Sequence, residues 1–159
     1  MSPPFRADHV GSFLRPARLR EAREKFFAGE IDPSALRAVE NECIAEVVRR
    51  QQDVGLKGIT DGEFRRTYFH VDFLERLDGV EVRYGEFSSA FRKDNGSQVG
   101  FKPPTMHVES KIRHATSIQG VDFDFLKGIV KQTPKVCIPA PSMLHFRGGR
   151  EAISEAVYP

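Results

Sequence analysis

Strand-like runs alternate with helix-like runs along this chain, and that alternation restricts its possible folds more than any other feature. Residues 5–12 (Phe-Arg-Ala-Asp-His-Val-Gly-Ser) read as a short strand running into a loop. Pro16 opens a helix with Leu19, Ala22, Phe26 and Phe27 on one face, and Gly29 ends it. Asp32-Pro33 supplies a capping carboxylate and a first-turn proline for a second helix. Leu36, Val39, Cys43, Val47 and Val54 follow at near-helical spacing, and Gly55 is the stop. Leu56 to Gly62 is a short strand ending in a polar turn, and Tyr68 to Leu77 is helical, closed by Asp78-Gly79. Residues 81–104 break the pattern. Alternating Val82 and Tyr84, the turn signal Asp94-Asn95-Gly96 and Pro103-Pro104 predict a β-hairpin excursion. Thr105 to Ile112 is a strand with Met106, Val108 and Ile112 on one face. Asp122 to Lys131 is a short helix, and Lys135 to Ile138 is a buried-type strand broken by Pro139-Ala140-Pro141. Gly148-Gly149 precedes a last helix starting near Arg150.

Strand–helix alternation implies parallel βαβ units and an α/β fold. The predicted parallel sheet uses residues 5–10, 56–60, 105–112 and 135–138, with helices outside. That order amounts to the N-terminal half of a (β/α)8 barrel, which takes about 250 residues in full. A small, open, doubly wound sheet is the alternative. Residues 1–159 then form one barrel part, with a hairpin insertion at about 81–104.

Composition removes several function classes. The chain carries 24 basic and 22 acidic residues, a net charge of +2, which gives no electrostatic reason to expect a nucleic-acid partner. The two cysteines, Cys43 and Cys137, have no zinc-ribbon or CxxC spacing and read as buried small hydrophobes. The N-terminus has no apolar signal region and no run approaches a membrane span, so a cytoplasmic protein with no membrane partner is expected. Phosphate-binding glycine motifs and the GxSxG of serine hydrolases are missing. His70, His107 and His114 stand without metal-ligand spacing, so no residue receives a metal role.

Three motifs lie at the C-terminal ends of predicted strands, the ends that line the active site of a parallel barrel. In Asp8-His9-Val10-Gly11-Ser12, the amides of Gly11 and Ser12 and the Ser12 hydroxyl suit a carboxylate. An ordinary helix-capping loop has the same composition. In Thr60-Asp61-Gly62-Glu63-Phe64-Arg65-Arg66, Glu63 suits a substrate ammonium, and the arginines could fix the acids or bind an anion. A solvated turn with local ion pairs is the alternative, and the buried strand expected before the turn weighs against it. Ile138-Pro139-Ala140-Pro141-Ser142 with His145 shapes a rigid loop and is too weak a signal for a nucleophile pair.

Read together and in order, Asp8 to Pro16, Gly55 to Arg66, Lys102-Pro103-Pro104 and Lys135 to Pro141 resemble the catalytic barrel of the cobalamin-independent methionine synthase family. The likeness is strongest to its single-barrel bacterial relatives and runs from about Phe5 to Pro159. The resemblance implies transfer of a methyl group from a methylated folate to the thiol of homocysteine, with zinc and without cobalamin. It implies that Val10, Gly11, Ser12 and Glu63 hold the amino-acid end of the substrate. His9, Asp61 and Arg65 are candidate supports of that pocket. Where the family has a folate-contacting Arg-Cys pair before Lys-Pro-Pro, this chain has Val99-Gly100-Phe101. The family's zinc ligands lie beyond the stretch present here. This chain alone is therefore expected to be inactive, with no catalytic residue assigned, and to self-associate or to need a C-terminal half. Another small thiol as substrate, or a non-catalytic interaction module, are the competing expectations.

Overall fold

A computed structural model describes residues 8–85, 89–92, 94 and 96–159. The chain has an α/β fold and divides into two compact units, one of residues 1–67 and 119–137, the other of residues 68–118 and 138–159.

The first unit is built on two helices. Helix α1, Ala17–Phe27, starts after Pro16 and buries Leu19 and Ala22. Phe27 stays 71% exposed, so the apolar face is narrower than its composition suggests. Helix α2, Pro33–Asp53, is capped by the Asp32 carboxylate, which accepts from the Ala35 amide at 2.8 Å. It buries Glu40, Cys43, Ile44, Val48 and Gln51, the spacing of a single helical face. Strand β1, Gly58–Ile59, follows, and helix α4, Gly120–Ile129, leads to strand β6, Thr133–Pro134. β1 and β6 pair in parallel, Gly58 with Thr133 and Ile59 with Pro134. Leu19, Cys43, Ile44, Val48, Ile59, Phe64 and Leu126 form the core between these elements.

The second unit holds α3 (Val71–Leu74), β2 (Asp78–Arg83), β3 (Ser89–Arg92), β4 (Gln98–Phe101) and β5 (Thr105–Arg113). β2 pairs antiparallel with β5, and β3 pairs antiparallel with β4. The hairpin expected within 81–104 is thus β3–β4, with Asn95 of its turn outside the described residues. Gly79, at φ +87°, sits where the β2–β5 register shifts; a Cβ there would lie 2.6 Å from the Ser110 carbonyl oxygen.

Several expectations need correction. Residues 105–112 do form a strand, but its ladder runs antiparallel to β2, and its parallel pairing is a single bridge from Val108 to Ile153. The segment between β2 and β5 returns through a hairpin, whereas a parallel connection needs a crossover. Of the expected strand 5–10, residues 8–10 are not in a strand, and residues 5–7 lie outside the described ones. The ladder expected at 135–138 lies at 133–134 and ends once Lys135 donates to the Ile59 carbonyl at 2.8 Å. Past that point Val136 and Ile138 are 37% and 63% exposed. The helix expected over Tyr68–Leu77 contracts to the single turn of α3, and the one expected near Arg150 is a 3-10 turn, Gly149–Ala152.

Candidate functional site

The polar turn after β1 is defined by the helix before it. Gln51, buried on α2, donates from Nε2 to the Thr60 carbonyl at 2.8 Å and accepts the Thr60 amide on Oε1 at 3.0 Å. Its side chain therefore does for Thr60 what a neighbouring strand would do. The turn then closes on itself. The Thr60 hydroxyl accepts from the Gly62 amide at 2.8 Å, and the Asp61 carboxylate from the Glu63 amide at 2.9 Å. Burial pushes the Asp61 carboxyl above the usual carboxylate range, against the pull of the Glu63 amide and the Arg66 charge.

The loop of residues 8–15 docks on this turn. The Ser12 hydroxyl donates to Glu63 Oε2 at 2.5 Å, across 51 residues of sequence. Beside it, the Phe13 amide donates to the Gly62 carbonyl at 3.1 Å. Arg15 Nη2 donates to the carbonyls of Glu63 (3.2 Å) and Arg66 (2.6 Å). Arg23, eight residues further and within α1, donates to the carbonyls of Arg66 (2.8 Å) and Phe64 (2.6 Å). The His9 ring stacks on Phe13 at 3.7 Å between centroids, and its Nε2 lies 2.8 Å from the Gly11 carbonyl. Lys135 ties the loop from β6, pairing with Asp8 and donating to the His9 carbonyl. That ammonium holds the Asp8 carboxyl below its ordinary value.

Among the residues expected at the site, Ser12 and Glu63 meet directly, with Gly11 adjacent. Neither the Gly11 nor the Ser12 amide has a hydrogen-bond acceptor among the described residues. Val10 points its side chain outward, 77% exposed. Glu63 itself is only 3% exposed, so its carboxylate is reached by displacing what covers it. Asp61 supports the turn through the Glu63 amide. Arg65 is turned elsewhere: it bonds Glu40 at 3.1 Å and Asn41 at 2.7 Å, and pairs with Asp122 at 3.2 Å. The Glu63 carboxylate pairs with Arg66, at 3.9 Å from Oε1, and Arg66 also donates to the Cys137 carbonyl at 2.6 Å. Sequence reading missed Arg15, Arg23 and Gln51. Arg23 lies on α1, whereas Arg15 precedes the extended N-cap Pro16, so no helical spacing along the sequence links the pair.

Among the described residues no three His, Cys, Asp or Glu side chains converge as a metal site. Cys43 lies in the core, its thiol pushed up by burial. The residues described here therefore do not fit a catalytic zinc. A separate pocket of about 650 Å³ opens between α1 and α2, lined by Phe13, Leu14, Val47, Val54, Leu56 and Phe64 among others.

Comparison with known proteins locates this geometry. Residues 5–115 match the family model described as "Cobalamin-independent synthase, Catalytic domain". The chain is 43% identical over 150 residues to the uncharacterized protein YxjG of Bacillus subtilis, covering 94% of this chain and 38% of that one. It is 33% identical over 105 residues to a 5-methyltetrahydropteroyltriglutamate–homocysteine methyltransferase of Thermotoga maritima, covering 66% of this chain and 14% of that one. A solved structure from Listeria monocytogenes, provisionally assigned as a vitamin-B12 independent methionine synthase, superposes with a TM-score of 0.71 at 42% identity, covering 95% of this chain and 40% of that one. The chain thus spans about two fifths of the length of YxjG and of the Listeria protein.

Proposed function

Since the chain belongs to the family of the cobalamin-independent synthase catalytic domain, we propose that it carries the amino-acid-holding end of a methyltransferase that moves a methyl group from a methylated folate to homocysteine. The observation that carries the reading is the bond from Ser12 to Glu63, which joins the two expected contact motifs at 2.5 Å. The substrate ammonium replaces the Ser12 hydroxyl as donor to Glu63 Oε2. Ser12 then turns its hydroxyl, together with the amides of Gly11 and Ser12, to the substrate carboxylate. A charged ammonium is the stronger donor, which favours the exchange. Val10 flanks the loop, His9 stiffens it through Phe13, and Asp61 supports the turn behind Glu63.

By the family resemblance, a zinc site would supply activation of the substrate thiol as thiolate. No ligand set for it exists among the described residues, so the transfer step is not assigned to this chain's own groups. Within a (β/α) barrel, the residues described here bind the amino-acid end, and methyl transfer would need metal ligands that are not among them. β1 and β6 are then neighbouring strands of that barrel, in a cytoplasmic protein. A calorimetric titration with L-methionine, the product that shares the amino-acid end, tests the reading. Saturable binding that is weakened in Glu63→Gln and Ser12→Ala is expected. Binding unaffected by both substitutions would overturn it.

A further inference from the structure

Glu63 is the one non-glycine residue with a positive φ among the described residues, at 57°. A left-handed backbone is unfavourable for a residue with a Cβ, so the surroundings must hold it. Gly62 before it is also left-handed, at φ +68°. Within the turn, the Gly62 and Glu63 amides donate to the Thr60 hydroxyl and the Asp61 carboxylate, and the Phe64 and Arg66 amides donate to the Asp61 and Glu63 carbonyls. From outside the turn, its carbonyls are held by residues 13–23. Phe13 takes the Gly62 carbonyl, Arg15 takes those of Glu63 and Arg66, and Arg23 takes those of Phe64 and Arg66. Turning Glu63 to a negative φ rotates its peptide groups and breaks the contacts on both sides of the residue. A guanidinium suits this task because one rigid fork reaches two converging oxygens, which a single ammonium or amide does poorly. Arg23 also lies 3.8 Å from the Glu40 carboxylate, which balances its charge inside the unit.

We infer that Arg15 and Arg23 are positioning residues for Glu63: by gripping the carbonyls of residues 63, 64 and 66 they keep its backbone left-handed and its carboxylate at Ser12, where a substrate ammonium is received. The inference rests on the proposed role of Glu63. It goes beyond that role by assigning the aim of the carboxylate to two arginines that touch no substrate. Arg15 stands three residues after Ser12, so one segment carries both the hydroxyl partner of Glu63 and the clamp on its backbone. The register between loop and turn is therefore set at a single place.

The test uses the 159-residue chain as wild type, Arg15→Met and Arg23→Met. Crystal structures read the Glu63 φ. Calorimetry reads the affinities for L-methionine and for 4-(methylsulfanyl)butanoate, the same molecule without the amino group. In each variant the Glu63 φ is expected to turn negative and the Ser12 bond to break. Methionine affinity is expected to fall about ten- to a hundredfold, the range of a lost charge-assisted bond, with the analogue changed by less than about twofold. A purely structural role weakens both ligands equally, and that result, or a φ that stays positive in both variants, overturns the inference. If the wild type does not prefer methionine over the analogue, the ammonium role of Glu63 fails. The positioning role is then decided by φ alone, negative in the variants supporting it and positive overturning it. Should Arg15→Met and Arg23→Met not fold, Arg15→Lys and Arg23→Lys are read by the same criteria.

Discussion

Two buried side chains show how single residues convert burial into chemistry. Glu63 is nearly covered, yet it has a hydroxyl on one oxygen and Arg66 3.9 Å from the other. Changing it to glutamine keeps the volume and removes the charge. Glu63→Gln should therefore weaken binding of an amino-acid ligand by about 1.5–3 kcal/mol, the worth of a hydrogen bond to a charged group, while the fold persists. Calorimetry on the purified chain reads this directly. His70, in the second unit, is 2% exposed, and Arg147 donates to its Nε2 at 3.1 Å. That contact assigns the proton to Nδ1 and the ring to its neutral form. Burial, then the Arg147 charge, lowers its pKa below the ordinary 6.5. The unfolded chain thus takes up a proton near pH 6.5 and the folded chain only at lower pH. His70's contribution to stability is fully present above 6.5 and declines as pH falls from there to the folded value. Chemical denaturation between pH 7 and pH 5 should show a loss that is smaller in His70→Gln. Identical slopes in the two proteins would contradict this.

At the scale of elements, much of the order comes from side chains that stand in for backbone. Gln51 satisfies both backbone groups of Thr60 and so couples the end of α2 to the end of β1. Gln51→Leu leaves a buried N–H and C=O without partners, at about 1–3 kcal/mol each. A fall in the unfolding midpoint is expected, accompanied by faster exchange of the Thr60 amide. In the other unit, Gly79 combines a φ of +87° with a backbone oxygen 2.6 Å from where a Cβ would stand. Gly79→Ala should destabilise by more than about 1 kcal/mol, because strain and steric clash add. Urea unfolding gives the number, and a neutral substitution would mean that the β2–β5 bulge yields easily. The helix boundaries were readable beforehand from Pro16, Gly29, Asp32 and Gly55, whose effects act within a few residues. The strand partners were not, because direction depends on what returns alongside. Thr105–Arg113 has the composition of a strand in either orientation.

On the scale of the whole chain, the first unit has a parallel pair of only two residues per strand and an apolar pocket between its helices. Leu14 and Val54 at that pocket are 95% and 76% exposed. Apolar surface grouped in this way tends to associate, and unpaired strand edges do the same. The isolated chain should run above its 18.0 kDa mass in light scattering, and Leu14→Glu should shift it toward that mass. Zinc analysis of the same sample should find less than one tightly bound ion per chain, given that no three candidate ligands converge among the described residues. A monodisperse species of the chain mass holding one zinc would refute both expectations.

Much was determined by the sequence alone: the two long helices, the hairpin, the family, and the pair of motifs that meet at Ser12 and Glu63. These follow from local spacing, caps and turn residues, or from motifs kept in register. Only the tertiary structure decided the antiparallel course of Thr105–Arg113, the turning of Arg65 toward α2 and α4, and the grip of Arg15 and Arg23 on the Glu63 turn. Each of these is a contact between residues tens of positions apart. An arginine can reach any carbonyl within about one side-chain length, and nothing in its neighbours along the chain says which carbonyl the fold will bring there.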